Sequence, residues 1–151
     1  MSNHSGRPDH RIAFVCVQNA GRSQMAAAFA ERERERRDAG DRIGIVTGGT
    51  RPADRVHGVV VEAMSELEID LGDRTPREVT PEELGAVDLV VTMGCSASDV
   101  CPATWNGESR DWGLDDPHER PIEEVREIRD EIEGRVVALF DELLSEPADA
   151  E

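Results

Sequence analysis

The chain has 151 residues, enough for one domain with a full core. Its formal net charge is −16, and all 17 basic residues are arginine, with no lysine at all. That balance argues against nucleic-acid and anionic-membrane partners, which need a basic face, and it matches the surface expected of a protein from a salt-rich cytoplasm.

Residues 1–10 are polar and read as a flexible tail, with no apolar centre of the kind a signal peptide carries. No stretch approaches the length of a membrane helix. The three cysteines therefore point to thiols kept for chemistry in a reducing cytoplasm. Residues 12–17 form an unbroken apolar run, the mark of a strand covered on both faces. It ends in Cys16-Val17-Gln18-Asn19-Ala20-Gly21-Arg22-Ser23, and a helix is predicted over 23–37, with Met25, Ala26, Phe29 and Ala30 on one side. A helix start leaves backbone N–H groups unpaired and aims a positive dipole end at the preceding loop, so the loop suits a tetrahedral oxyanion. Arg22 adds a permanently charged, two-pronged clamp, and the same field favours the nucleophilic, ionised form of Cys16. An oxyanion and a thiolate in one cradle mean attack of sulfur on phosphorus or arsenic. The loop is neither a Walker A loop nor a dinucleotide fingerprint, because it lacks both glycine patterns.

The charge run ERERERRD at 31–38 reads as a solvated helix end. Residues 43–46 are a second strand, and Thr47-Gly48-Gly49-Thr50 the turn after it. A second helix is predicted over 56–68, with His57 as a surface or capping residue near its start. Thr80-Pro81-Glu82-Glu83 opens a short helix, with an N-cap, a proline and then acids. Residues 87–93 form strand three, followed by Cys95 and Cys101. Residues 105–110 read as loop and 111–114 as a short strand four, followed at once by Asp115-Asp116-Pro117. A long helix over 121–144 carries Ile122, Val125, Ile128, Ile132, Val136, Leu139, Phe140 and Leu143 on one face. Residues 146–151 form a second tail, leaving a single domain over 11–145.

Strands alternate with helices, so the sheet is expected to be parallel with helices on both faces. Right-handed crossovers bring the loops bearing Cys16, Cys95 and Asp116 to one edge. Pro117 biases Asp116 to an extended backbone; a carboxylic acid there could protonate a leaving oxygen as a general acid, or serve simply as a turn aspartate.

Cys-x5-Arg-Ser between a first strand and a first helix resembles the low-molecular-weight protein tyrosine phosphatase superfamily. The longer string CVQNAGRSQMA is more similar to its thiol-coupled arsenate reductase branch. VVTMGC, the later CP and WGLDDP keep the family's order, and the resemblance covers residues 12–144. It implies a three-layer α/β domain with a four-stranded parallel sheet. It also implies that residues 17–23, Val17, Gln18, Asn19, Ala20, Gly21, Arg22 and Ser23, hold an arsenate or phosphate oxyanion. Thr47 would brace that loop from behind through Asn19. In a reductase, Cys16 would attack arsenate, Cys95 would attack Cys16 and release arsenite, and Cys101 would carry the disulfide to a thioredoxin-like or small-thiol reductant. No cofactor and no metal is called for, since two cysteines and scattered histidines make a weak zinc set. Gly21 stands where many relatives have a second cysteine. Two alternatives remain. One is a phosphatase of the same superfamily, which needs only Cys16, Arg22 and Asp116. The other is a non-catalytic oxyanion-binding or thiol redox-sensing module.

Overall fold

The computed structural model describes residues 10–93 and 107–144. Cys95 and Cys101 lie outside them. Among the described residues, the elements in chain order are β1 (His10–Cys16), α1 (Arg22–Arg36), β2 (Ile43–Gly49), α2 (Gly58–Ser65), α3 (Pro81–Gly85), β3 (Leu89–Met93), β4 (Glu108–Asp111) and α4 (Ile122–Leu144). The four strands form one parallel sheet in the order β2-β1-β3-β4.

The apolar run of β1 is explained by its central place. Ile12 and Phe14 face a core shared with α1, α2 and α4, while Ala13 and Val15 face Val79, Leu84, Val87 and Val90 beside α3. Cys16 follows the even-numbered side of the pleat and so points toward α1. α1 is buried almost all round from Ser23 to Ala30, because its alanines let backbone approach backbone. α4 buries Val125, Ile128, Ile132, Val136, Leu139 and Phe140, the face its three-and-four spacing predicts. α3 begins with the expected cap: Thr80 and Glu83 bond each other's backbone N–H in a reciprocal capping box.

Three expectations change. Strand four runs over Glu108–Asp111 rather than 111–114, with Leu89 opposite Glu108 and Thr92 opposite Asp111. The alternation of Trp112 and Leu114 suggested a strand. As the edge strand, β4 instead carries the charged residues. Trp112 bonds Thr92 O through its N–H at 2.9 Å and packs against Phe14 just beyond the strand end. β2 runs through the predicted turn to Gly49. A Cβ at Gly48 would stand 2.2 Å from Val79 Cγ1, and one at Gly49 would stand 2.4 Å from Val17 O, so glycine lets the strand pass beneath the phosphate loop. The 31–38 charge run is not simply solvated. Arg32 pairs with Glu133, Arg37 with Asp141 and Glu31 with Arg74, and Arg37 also bonds the buried Glu33. Exposed pairs of this kind contribute about 0–1 kcal/mol each, so they fix the orientation of α1 on α4 more than they stabilise it.

In this strand order the crossovers diverge between β1 and β3, which opens a crevice at the carboxyl ends of those strands. Cys16, the last residue of β1, stands there opposite Met93, the last of β3.

Candidate active site

The loop after Cys16 is shaped by where its carbonyl groups go. Cys16 O, Val17 O, Gln18 O and Ala20 O accept from the backbone N–H groups of Thr50, Arg51, Ala53 and His57 at 3.2, 2.7, 3.0 and 3.0 Å. With the carbonyls turned outward onto the 50–57 segment, N–H groups are left for the inside. One of them, Asn19 N–H, donates to Cys16 Sγ at 3.1 Å. Asn19 has φ 53°, a left-handed conformation that asparagine tolerates better than most residues. Gly21 is the N-cap of α1. The first N–H groups of the helix have no acceptor one turn back, so their positive end faces the loop.

The buried side chains brace the loop through a hydrogen-bond network. Arg77 N–H, a donor by necessity, bonds Asn19 Oδ1 at 3.1 Å, and Gln24 Nε2 bonds the same oxygen at 3.0 Å. That sets the Asn19 amide, so Nδ2 donates to Ser23 Oγ at 2.7 Å and to Thr47 Oγ1 at 3.0 Å. Thr47 spends its hydroxyl proton on Phe14 O at 2.9 Å, which makes the brace expected of it. Ser23 Oγ, which accepts from Asn19, also bonds Cys16 Sγ at 2.8 Å, a contact in which either atom can be the donor. The Asn19 N–H and the Ser23 hydroxyl thus both reach one buried sulfur.

The acid loop closes the other side. Arg22 Nη1 donates to Leu114 O at 2.9 Å, and its Nη2 stands 3.8 Å from Asp116 Oδ2. Asp116 Oδ1 accepts the His118 N–H at 3.0 Å, and Arg120 Nε donates to Asp116 O at 2.8 Å. One carboxylate oxygen is therefore held by its own loop and the other faces the arginine. Asp116 is joined around the pocket by Cys16, Gln18, Ala20, Gly21, Arg22 and His57, while Val17 is not part of the lining. The acid loop sits close: a Cβ at Gly21 would stand 2.8 Å from Pro117 Cγ. A cysteine here would push Pro117 away, and this is a physical reason for glycine at this position.

The structure thus brings Cys16, residues 17–23 and Asp116 together. It also puts His57, expected as a surface or capping residue and found as the N-cap of α2, on the pocket wall, and sets His118 against it. The two rings stack with centroids 4.5 Å apart and planes 6° apart. Burial, helped by His118, holds the His57 imidazole below its ordinary range against an opposing pull from Asp116. The signal was faint: two of four histidines, 61 positions apart in the chain, which only the fold brings together. Among the described residues no cluster of His, Cys, Asp or Glu is placed to hold a metal ion, and no helix is long and apolar enough to cross a membrane.

Comparison with known proteins agrees with this geometry. Residues 11–148 match the model of the low molecular weight phosphotyrosine protein phosphatase family. The chain belongs to that family. Within it, the chain is 61% identical over 132 residues to a putative arsenate reductase of Halobacterium salinarum, covering 87% of this chain and 92% of that one. It is 36% identical to arsenate reductase 1 of Bacillus cereus over 129 residues, 83% of this chain and 90% of that one. Among solved structures, a thioredoxin-dependent arsenate reductase of Corynebacterium glutamicum superposes with a TM-score of 0.73 at 35% identity, over 95% of this chain and 66% of that longer one. The family membership accounts for the four-stranded parallel sheet and for the Cys-x5-Arg-Ser loop at its centre.

Proposed function

We propose that this protein reduces arsenate to arsenite with thiol electrons. The observation that carries the reading is Cys16 Sγ at the floor of an anion pocket, with the Ser23 hydroxyl and the Asn19 N–H bonded to it and Arg22 and Asp116 beside it, in a chain whose relatives are described as arsenate reductases. Arg22, Ser23 and the backbone of residues 17–23 hold the oxyanion. The Cys16 thiolate attacks arsenic and forms a sulfur–arsenic bond, and Asp116 gives a proton to the oxygen that departs as water. The Cys95 thiolate then attacks Cys16 Sγ. The electron pair of the sulfur–arsenic bond leaves on arsenic, which falls from the +5 to the +3 state and departs as arsenite. Cys101 attacks Cys95, which frees the Cys16 thiolate and leaves a Cys95–Cys101 disulfide for an external dithiol such as a thioredoxin. Met93 pairs with Cys16 in the sheet, and Cys95 follows it by two positions in the chain. A relay of this kind runs in a reducing compartment, which places the reaction in the cytoplasm.

Hydrolysis of phosphate monoesters through a phospho-cysteine is the second reading, favoured by the family itself. The two separate in a Cys95→Ser variant. Arsenate turnover falls by about a thousandfold or more, as for loss of a covalent participant, while whatever hydrolysis of phosphate monoesters the wild type shows survives. Mass mapping after arsenate is added to the reduced protein finds the Cys95–Cys101 link. Undiminished arsenate turnover in Cys95→Ser would overturn the relay.

A further inference from the structure

One wall of the pocket carries His57, a ring that the reaction itself does not use and that stacks on His118. His57 caps the start of α2, and its backbone N–H is tied to Ala20 O of the phosphate loop at 3.0 Å. His118 comes from the acid loop, two residues past Asp116, and bonds that carboxylate through its N–H. The rings meet face to face with centroids 4.5 Å apart and planes 6° apart. His57 forms part of the wall, and His118, which is not part of the lining, stacks on its ring. The His57 ring edge also lies over Gly21, where a Cβ would stand 3.6 Å from His57 Cδ2.

An aryl phosphate with its phosphorus at Cys16 must lay its ring across the pocket mouth. To be held between two aromatic hosts, a planar guest needs them about 9 Å apart, a stacking distance on each side. Here the two hosts occupy each other instead. His57 cannot swing outward while His118 stacks on its ring, and the chain has no tyrosine to offer a substitute platform. A bare tetrahedral anion has no ring to accommodate.

We propose that the stacked rings of His57 and His118 act as a size filter at the pocket mouth, admitting an inorganic oxyanion and turning away its aryl esters. The proposal rests on Cys16 being the reacting group of an oxyanion pocket, and it names what that pocket selects.

The test is turnover of p-nitrophenyl phosphate by wild type, H118A, H57A and H57F. His118 is exposed, so H118A keeps the fold and opens the stack from outside. In H118A and H57A, kcat/KM for the aryl ester rises by about tenfold or more, the scale on which a steric element discriminates between substrates. H57F, which keeps a ring for His118 to stack on, returns the value toward wild type and shows that the ring rather than the imidazole nitrogen does the excluding. Aryl turnover at or below wild type in both alanine variants overturns the filter. Protection of Cys16 from iodoacetamide by arsenate, measured on wild type, tests the oxyanion pocket separately. Its failure would remove the functional reading, while the alanine variants report on the filter by themselves.

Discussion

At the scale of single residues, the Ser23 hydroxyl is held against Cys16 Sγ by its neighbours. Arg77 N–H fixes the Asn19 amide, Asn19 Nδ2 donates to Ser23 Oγ, and that hydroxyl bonds Cys16 Sγ and can serve its thiolate as a donor. A hydrogen bond to a charged group is worth about 1.5–3 kcal/mol. Ser23→Ala therefore slows alkylation of Cys16 by iodoacetamide at neutral pH by about tenfold or more. Equal rates in the two proteins would mean that the serine proton does not serve the sulfur. That Cys16, Arg22 and Ser23 come together was readable from the spacing Cys-x5-Arg-Ser, because consecutive residues of one loop need no distant partner to meet. The Asn19–Gln24–Arg77 bracing was not, since Arg77 contributes a backbone N–H from 58 positions away and any residue type but proline would supply it.

At the scale of elements, α2 and α4 are clamped at one carboxylate. Glu66, just past α2, takes three hydrogen bonds from Arg126 and one from the mostly buried Arg129, which also bonds Ala63 O. Arg126 first and Arg129 second hold the Glu66 carboxyl down to about 2. A carboxylate held lower in the folded state stabilises the fold above its unfolded value, near 4.5, and that contribution is lost as pH falls from there through about 2. The urea midpoint of wild type should therefore converge on that of Glu66→Gln as pH drops from 5 to 2. A gap between the two that stayed constant over this range would show that the clamp is not electrostatic. The helices themselves were announced by their apolar spacing, and α4 follows it closely. β4 was misplaced by a few residues because an edge strand needs apolar residues on neither side of its free margin, whereas Trp112 and Leu114, just outside it, carry the alternation.

At the scale of the molecule, 33 acidic residues face 17 arginines. Many arginines are already engaged: Arg32, Arg37, Arg74, Arg110, Arg126 and Arg129 each bond a carboxylate across elements. The excess negative charge repels itself, and salt shortens the reach of that repulsion from about 10 Å at 0.1 M to about 3 Å at 1 M. The melting temperature should rise by several degrees between dilute buffer and molar potassium chloride. A flat response would show that the charge is a neutral ornament of the surface.

The sequence by itself determined what is written in neighbouring residues: a covered β1, the phosphate loop, the helix that opens on it, and the acid before Pro117. Each depends on local backbone geometry and on side chains a few positions apart, so order along the chain is enough. Only the tertiary structure decided the bracing of Asn19 and Ser23 beneath Cys16, the need for glycine at 21 against Pro117, and the stack of His57 on His118. Those depend on where the 50–57, 77 and 114–118 segments lie across the end of the sheet, and distances between remote segments are set by the packing of the whole core, which no local pattern records.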